Sequence, residues 1–273
     1  MTSRRPWRHV TFTLGVALTL ALITIAALSL VWTPTDPLAM SIAARLQPPS
    51  TAHPFGTDQY GRDVLARVMA GARTSIAVGV IAVAIGAVAG VLLGVVSGYT
   101  GGWPDEVLMR VSDAVQGFPA ILAALLFAAV FGPGVTMSMV AIGIAFVPAF
   151  ARLARGSVLE LRSRDFVVAA QALGAGDRRV LLRHILPNTL APLIVQVTTS
   201  FPVAILAEAG LAYLGLGTQP PQPSWGSMLK DAQNFLSLNP SFALFPGGAI
   251  AVTVLGLNLL GDGLRDLLDP KTG

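Results

Sequence analysis

The chain contains no cysteine, which excludes a disulfide framework, a thiolate metal site and a cysteine nucleophile. Charge is scarce: 12% of 273 residues, against about 25% in soluble domains. Lysine occurs only at Lys230 and Lys271, and Pro270 stands where a phosphate-binding G-K-[ST] loop needs glycine. The three histidines, His9, His53 and His184, fall outside the long apolar runs. They therefore offer no buried Ser–His pair, and no H-E-x-x-H zinc motif occurs. Catalytic, cofactor-binding and metal-ligating residues are thus not expected in this chain. What is abundant is apolar: 53% hydrophobic residues, with 28 glycines and 19 prolines and a positive mean hydropathy. So much glycine and proline is tolerated in membrane helices, where neighbours re-satisfy freed backbone groups. The sequence reads as an all-α, multi-pass membrane protein.

Crossing the hydrocarbon takes about 20 apolar residues, and the charge-free stretches supply six spans: about 11–32, 75–99, 107–131, 135–150, 189–216 and 242–260. The third and fourth are separated by Gly132-Pro133-Gly134. Basic residues orient the spans. With a cytoplasmic N-terminus, Arg4, Arg5, Arg8, Arg110, the seven arginines from Arg152 to Arg183, Arg265 and Lys271 all fall inside, thirteen of the eighteen basic residues. Both termini are then cytoplasmic, and the basic balance is a topology signal rather than a nucleic-acid signal. The first span is expected to be a retained anchor, since its apolar core exceeds the ~7–15 residues of a signal peptide. The expected organisation is 1–35, tail and first span; 36–74, external segment with an amphipathic helix; 75–262, a core of five spans with a cytoplasmic loop at 152–188; and 263–273, a cytoplasmic tail.

That loop holds the most specific pattern. From Ser163 it reads SRDFVVAAQALGAGDRRVLLRHILPN, which fits two short helices. Asp165 complements the first helix's N-terminal dipole, Gly174 and Gly176 break the pattern, and Pro187 is placed to start the next span. Ala169, Ala170 and Ala172 make a small face that another backbone can approach. The loop resembles the E-A-A-x3-G-x9-I-x-L-P signature of permease subunits in bacterial ATP-binding-cassette importers. Val168 stands at the glutamate position, Ala169, Ala170 and Gly174 match, His184 replaces the isoleucine, and Leu186 and Pro187 match.

Two further stretches, HPFGTDQYGRDVLARVMAGARTS from His53 and LAYLGLGTQPPQPSWGSML from Leu211, resemble the C-type permeases of the dipeptide, oligopeptide and nickel subfamily. The resemblance implies a type I importer transmembrane domain of the MetI-like fold in the bacterial cytoplasmic membrane. It also implies that Asp165, Val168, Ala169, Ala170, Leu173, Gly174, Leu186 and Pro187 form the loop that couples to an ATPase. The implied partners are a homologous permease, two ATP-binding subunits carrying ATP and magnesium, and an external solute-binding protein. The implied cargo is a short peptide, with nickel or glutathione-like solutes as alternatives.

Residues 63–76 read as an amphipathic helix at the outer membrane surface, with Val64, Leu65, Val68, Met69 and Ala72 on one face and Arg62, Arg67 and Arg73 off it. Asp58, Arg62, Asp63, Arg67 and Trp225 are expected to meet the binding protein, or else the helix merely leads into the second span. Gly86, Gly90, Gly94 and Gly98 recur every fourth residue and call for close helix packing, within the chain or against the partner permease. Glu208 is the one acid deep inside a span, where a carboxylate faces a cavity or a partner. It either lines the pathway, with Pro202 as a hinge, or hydrogen-bonds within helix packing. A more distant alternative, an ion-coupled secondary transporter, would use Glu208 as its proton site.

Overall fold

A computed structural model describes residues 6–268, with side chains from residue 10. The side chains of Arg4, Arg5, Arg8 and Lys271, which carry part of the orientation reading, lie outside the described residues, as does the end of the 263–273 tail. The chain is built from helices α1 (Pro6–Leu28), α2 (Val64–Thr100), α3 (Gly102–Gly117), α4 (Ala120–Phe131), α5 (Val135–Arg162), α6 (Asp165–Ala172), α7 (Asp177–Val180), α8 (Leu186–Tyr213), α9 (Trp225–Ala232) and α10 (Ser241–Leu268). A π-helical turn, Leu181–Ile185, joins α7 to α8, so one helical run extends from Asp177 to Tyr213.

Five helical runs are long and apolar enough to cross a membrane, and α3 with α4 makes a sixth candidate bent by 86°. The third expected span is therefore a broken one. Proline disfavours helical backbone in the residue before it, and Phe118 before Pro119 is extended (φ −93°, ψ 119°). The α4 half has 12 residues, about 18 Å of helix, too short for the roughly 30 Å of hydrocarbon.

The boundary expected at residue 74 also needs correction. No separate surface helix precedes the second span. Asp63 caps α2, its carboxylate accepting from Ala66 N at 2.8 Å, and nothing interrupts the helix for 37 residues, about 55 Å. Charges stop near Ser75, but the helix began a dozen residues earlier. Arg67 does not lie off the buried face either: it is buried together with Val64, Ala66, Met69 and Ala72.

The core is the seam between α2 and α5, which run parallel with the four glycines of α2 facing α5. A Cβ at Gly86 would stand 2.4 Å from Phe146 Cβ, at Gly90 2.6 Å from Val147 O, at Gly94 2.2 Å from Ala151 O, and at Gly98 2.9 Å from Arg155 O. The stripe thus packs within the chain. Lipid supplies no hydrophobic drive between helices, so backbone proximity and dispersion hold such a pair. The α1 helix packs along α10 by the same device, Gly15 against the Leu259–Leu260 backbone and Gly256 against Leu18. One end of the molecule carries α6 and α7, here the loop end. The other carries residues 33–63 and 214–240, here the cap end.

Candidate functional site

At the loop end, α5 stops at Arg162, Arg164 turns the chain in extended conformation, and α6 begins with Asp165 in its first turn. A Schellman closure ends α6. Ala175 N donates to Ala170 O at 3.0 Å, Gly174 N donates to Gln171 O at 2.9 Å, and Gly174 takes φ +84°, a conformation that glycine adopts without steric cost. Beneath this turn Val167, Val180 and Ile185 are fully buried against Ala154 and Val158 of α5. Above it Val168, Ala169, Ala172 and Gly174 are exposed, Ala170 is half-buried, and Leu173 is 89% exposed. The loop is therefore anchored on one side and open on the other.

Polar ties connect it to the spans. Tyr99, at the end of α2, donates from its hydroxyl to Asp177 Oδ1 at 2.7 Å. Arg162 donates to Tyr99 O at 2.9 Å and stacks over the Tyr99 ring. Asp105 of α3 holds Arg155 of α5 through two bonds of 2.6 Å and also accepts from Ser97 of α2. A cleft of about 610 Å³ opens between α5, α8 and α10, lined in part by Leu153, Ser157, Gln196, Thr199 and Arg265.

Glu208 lies deep in α8 at 1% exposure. Its Oε2 accepts from Ser75 Oγ of α2 at 3.0 Å, and its Oε1 has no hydrogen-bond partner. Ser224, which caps α9 in a reciprocal box with Ser227, faces the same carboxylate. The partner is thus Ser75 of α2, and the carboxylate sits in helix packing rather than in the α5–α8–α10 cleft. Pro202 is also buried, and α8 continues through it.

At the cap end residues 41–63 fold back on themselves. Asp58 Oδ1 accepts from Tyr60 N (2.8 Å) and Arg62 N (2.9 Å), and Oδ2 takes Arg62 Nε at 2.5 Å. Arg67 Nε lies 3.5 Å from the same oxygen. His53 Nδ1 and Asp63 Oδ2 are 2.7 Å apart. Gly61, at φ +72°, leaves no room for a side chain: a Cβ would meet Ser41 O. Asp58, Arg62, Asp63, Arg67 and Trp225 are all at least 96% buried, so the side chains expected to meet a docking protein instead hold the cap together. Trp225 packs over Gly71 and donates from Nε1 to Val68 O at 3.0 Å. Asp231 lies at the edge of the cluster, 3.8 Å from Arg62 Nη2. Burial pushes its carboxyl above the usual range, against the pull of Gln59, Arg67 and Arg62.

The family described as binding-protein-dependent transport system inner membrane component matches residues 90–273, which include the whole anchored loop. The chain belongs to this family. Among its relatives, the dipeptide transport system permease protein DppC of Alkalihalophilus pseudofirmus is 48% identical over 83% of this chain and 75% of the relative. A putative peptide transport system permease protein of Brucella abortus is 44% identical over 99% of this chain and 91% of the relative. The glutathione transport system permease protein GsiD of Escherichia coli is 47% identical over 82% and 74%. In fold, the chain is similar to a chain of the MetNI methionine ABC transporter in an inward-facing conformation. There the TM-score is 0.61 at 16% identity, covering 74% of this chain and 96% of the other.

Membership makes the protein an inner-membrane component of a binding-protein-dependent transport system. Within this frame, Asp165, Val168, Ala169, Ala170, Leu173 and Gly174 are brought together on one protruding turn. Leu186 and Pro187 lie apart from them, at the start of α8. Sequence reasoning missed Tyr99, Asp105 and Arg155, the ties at the foot of the loop. Asp105 and Arg155 are 50 residues apart, and neither sits in a pattern that announces the other.

Proposed function

We propose that this chain is one of two homologous permease subunits in an ATP-driven importer of short peptides. An external binding protein delivers the cargo, and two partner subunits bind ATP with magnesium. The loop end is then cytoplasmic and the cap end external. The observation that carries the reading is the protruding turn: an exposed apolar residue, Leu173, beside small residues, held on a buried base of Val167, Val180 and Ile185. An exposed knob on a fixed base suits insertion into a groove of another protein. Because the helical run from Asp177 to Tyr213 is unbroken, displacement of the loop by closing ATPases is carried into α8, and through Tyr99 into α2. The α5–α8–α10 cleft then opens or closes as the helices rock between two states.

The peptide cargo is supported by the DppC-named and Brucella relatives. A second reading, uptake of a glutathione-like peptide, is favoured by the 47% identity to GsiD. A proton-coupled transporter finds less support, since Glu208 is enclosed between α2 and α8.

The decisive experiment uses Leu173→Asp and Gly174→Val in reconstituted complexes. Leu173 makes little contact, so its replacement leaves folding almost unchanged. A Cβ at Gly174 meets nothing within 4 Å, so valine acts only by straining the positive-φ turn. Both variants are expected to co-purify with the permease partner and to lose substrate-stimulated ATP hydrolysis and uptake together. Normal stimulated hydrolysis in assembled complexes of both variants would remove the coupling role.

A further inference from the structure

The cap end contains a cavity of about 320 Å³ that the coupling reading does not use, lined by Arg62, Arg67, Thr218, Gln222, Lys230 and Asp231 among others. Three cations and one carboxylate face it. Asp58 lies behind, but its oxygens already serve Tyr60 N, Arg62 N and Arg62 Nε. Arg67, 98% buried, makes one side-chain hydrogen bond, a 3.3 Å contact from Nη1 to Pro37 O. Its Nε has no hydrogen-bond partner, although it lies 3.5 Å from Oδ2 of Asp58, a carboxylate that already serves Arg62 and two backbone amides. Thr218 Oγ1 is buried and likewise without a partner. Lys230 Nζ rests over Gly215, where a Cβ would stand 2.4 Å away. A buried guanidinium that shares its carboxylate with Arg62 and a buried hydroxyl with no partner are both under-satisfied, and both line the same cavity.

We propose that this cavity receives a carboxylate, the side chain of an aspartate or glutamate that the external binding protein presents when it docks on the cap. The inference rests on the importer reading and gives its docking step a defined chemistry. Guanidinium groups match a carboxylate with paired N–H donors, and Thr218 and Lys230 complete the set. Charge complementarity in such a site fixes register and speeds encounter. The docking residues are thus Lys230 and the cavity rim, with Arg62 and Arg67 as the buried floor. A free peptide carboxylate has the same chemistry, and the experiment separates the two sources.

The chain has no cysteine, so a single Gln222→Cys at the exposed rim can be labelled in the assembled complex in proteoliposomes. Labelling rates with anionic and cationic methanethiosulfonates are compared with those at Ala52→Cys, an exposed cap position away from the cavity. The expected result is a several-fold relative preference for the anionic reagent at Gln222→Cys, reduced by Lys230→Gln. Purified binding protein protects Gln222→Cys, and a saturating free dipeptide does not. In direct binding, Lys230→Glu weakens docking by on the order of tenfold at low salt and flattens its salt dependence. Equal relative reagent rates overturn the electropositive cavity. Protection by dipeptide alone overturns the assigned occupant in favour of a direct solute site, and an anionic preference with protection by neither overturns the docking role. Uptake dependent on ATP and binding protein, measured in the same liposomes, shows whether the importer reading survives any of these failures.

Discussion

Replacing Gly94 by alanine tests the α2–α5 seam where it is tightest. The new Cβ would stand 2.2 Å from Ala151 O and 2.8 Å from Ala154 Cβ. Ordinary contact needs about 3.5 Å, so the helices must part by about 1 Å. Neither obstacle is the end of a flexible side chain, so no change of rotamer relieves the clash. Overpacking of this kind costs about 1–3 kcal/mol, while alanine in place of glycine inside a helix returns about 1 kcal/mol. Gly156 isolates the second contribution, because it lies on α5, is exposed, and has nothing within 4 Å of its Cβ position. The assay is thermal unfolding of the three purified proteins in one detergent, followed by a core-sensitive signal. The expected order is Gly156→Ala at or above the parent protein and Gly94→Ala below it, with Gly94→Leu failing to assemble. A Gly94→Ala protein as stable as Gly156→Ala would refute the account of the seam as backbone against backbone.

Three other outcomes follow from the geometry. Asp58→Ala strips Arg62 of its 2.5 Å partner and leaves two buried cations, at a cost of about 3–5 kcal/mol; an unchanged unfolding midpoint would show that the cap does not depend on this network. Glu208→Gln keeps shape and the acceptor for Ser75 Oγ, so uptake should persist, whereas abolished uptake in an assembled complex would restore a proton-carrying role. For orientation, single cysteines at Ala52 and Gln222 should react with an impermeant reagent from outside and a cysteine at Ser163 should not; the opposite pattern would invert the topology.

Much of this architecture is written in local pattern. The charge-free runs mark the spans because a membrane helix must hide its backbone polarity and carry few charges, and the Asp165–Gly174–Pro187 punctuation marks the helix–turn–helix because those residues act through their own backbone. The rest depends on distant partners. Hydropathy cannot see the 86° bend, since Phe118 and Pro119 are as apolar as their neighbours. Arg62 and Arg67 carry the charge of surface residues, yet Asp58 lies close enough to both for burial. The glycine stripe announced a close neighbour without naming it, because Phe146 and Ala151 carry no mark of the receiving side.

The continuity of α2 has a mechanical consequence. Its first turn is capped by Asp63 in the outer cluster and its last bears Tyr99 against the inner loop. Proline lies inside the continuous helices α5, α8 and α10, at Pro148, at Pro192 and Pro202, and at Pro246, but not inside α2. Three helices can flex at those points, while the fourth behaves as a push-rod from one face of the bilayer to the other. Under the proposed importer reading, an axial shift of α2 produced at the cap would reach Tyr99 without a proline hinge, and a movement of the loop would travel back along the same shaft. In the proposed importer, thermodynamic reciprocity would then tie the nucleotide state at the loop end to the affinity for a protein docked on the cap.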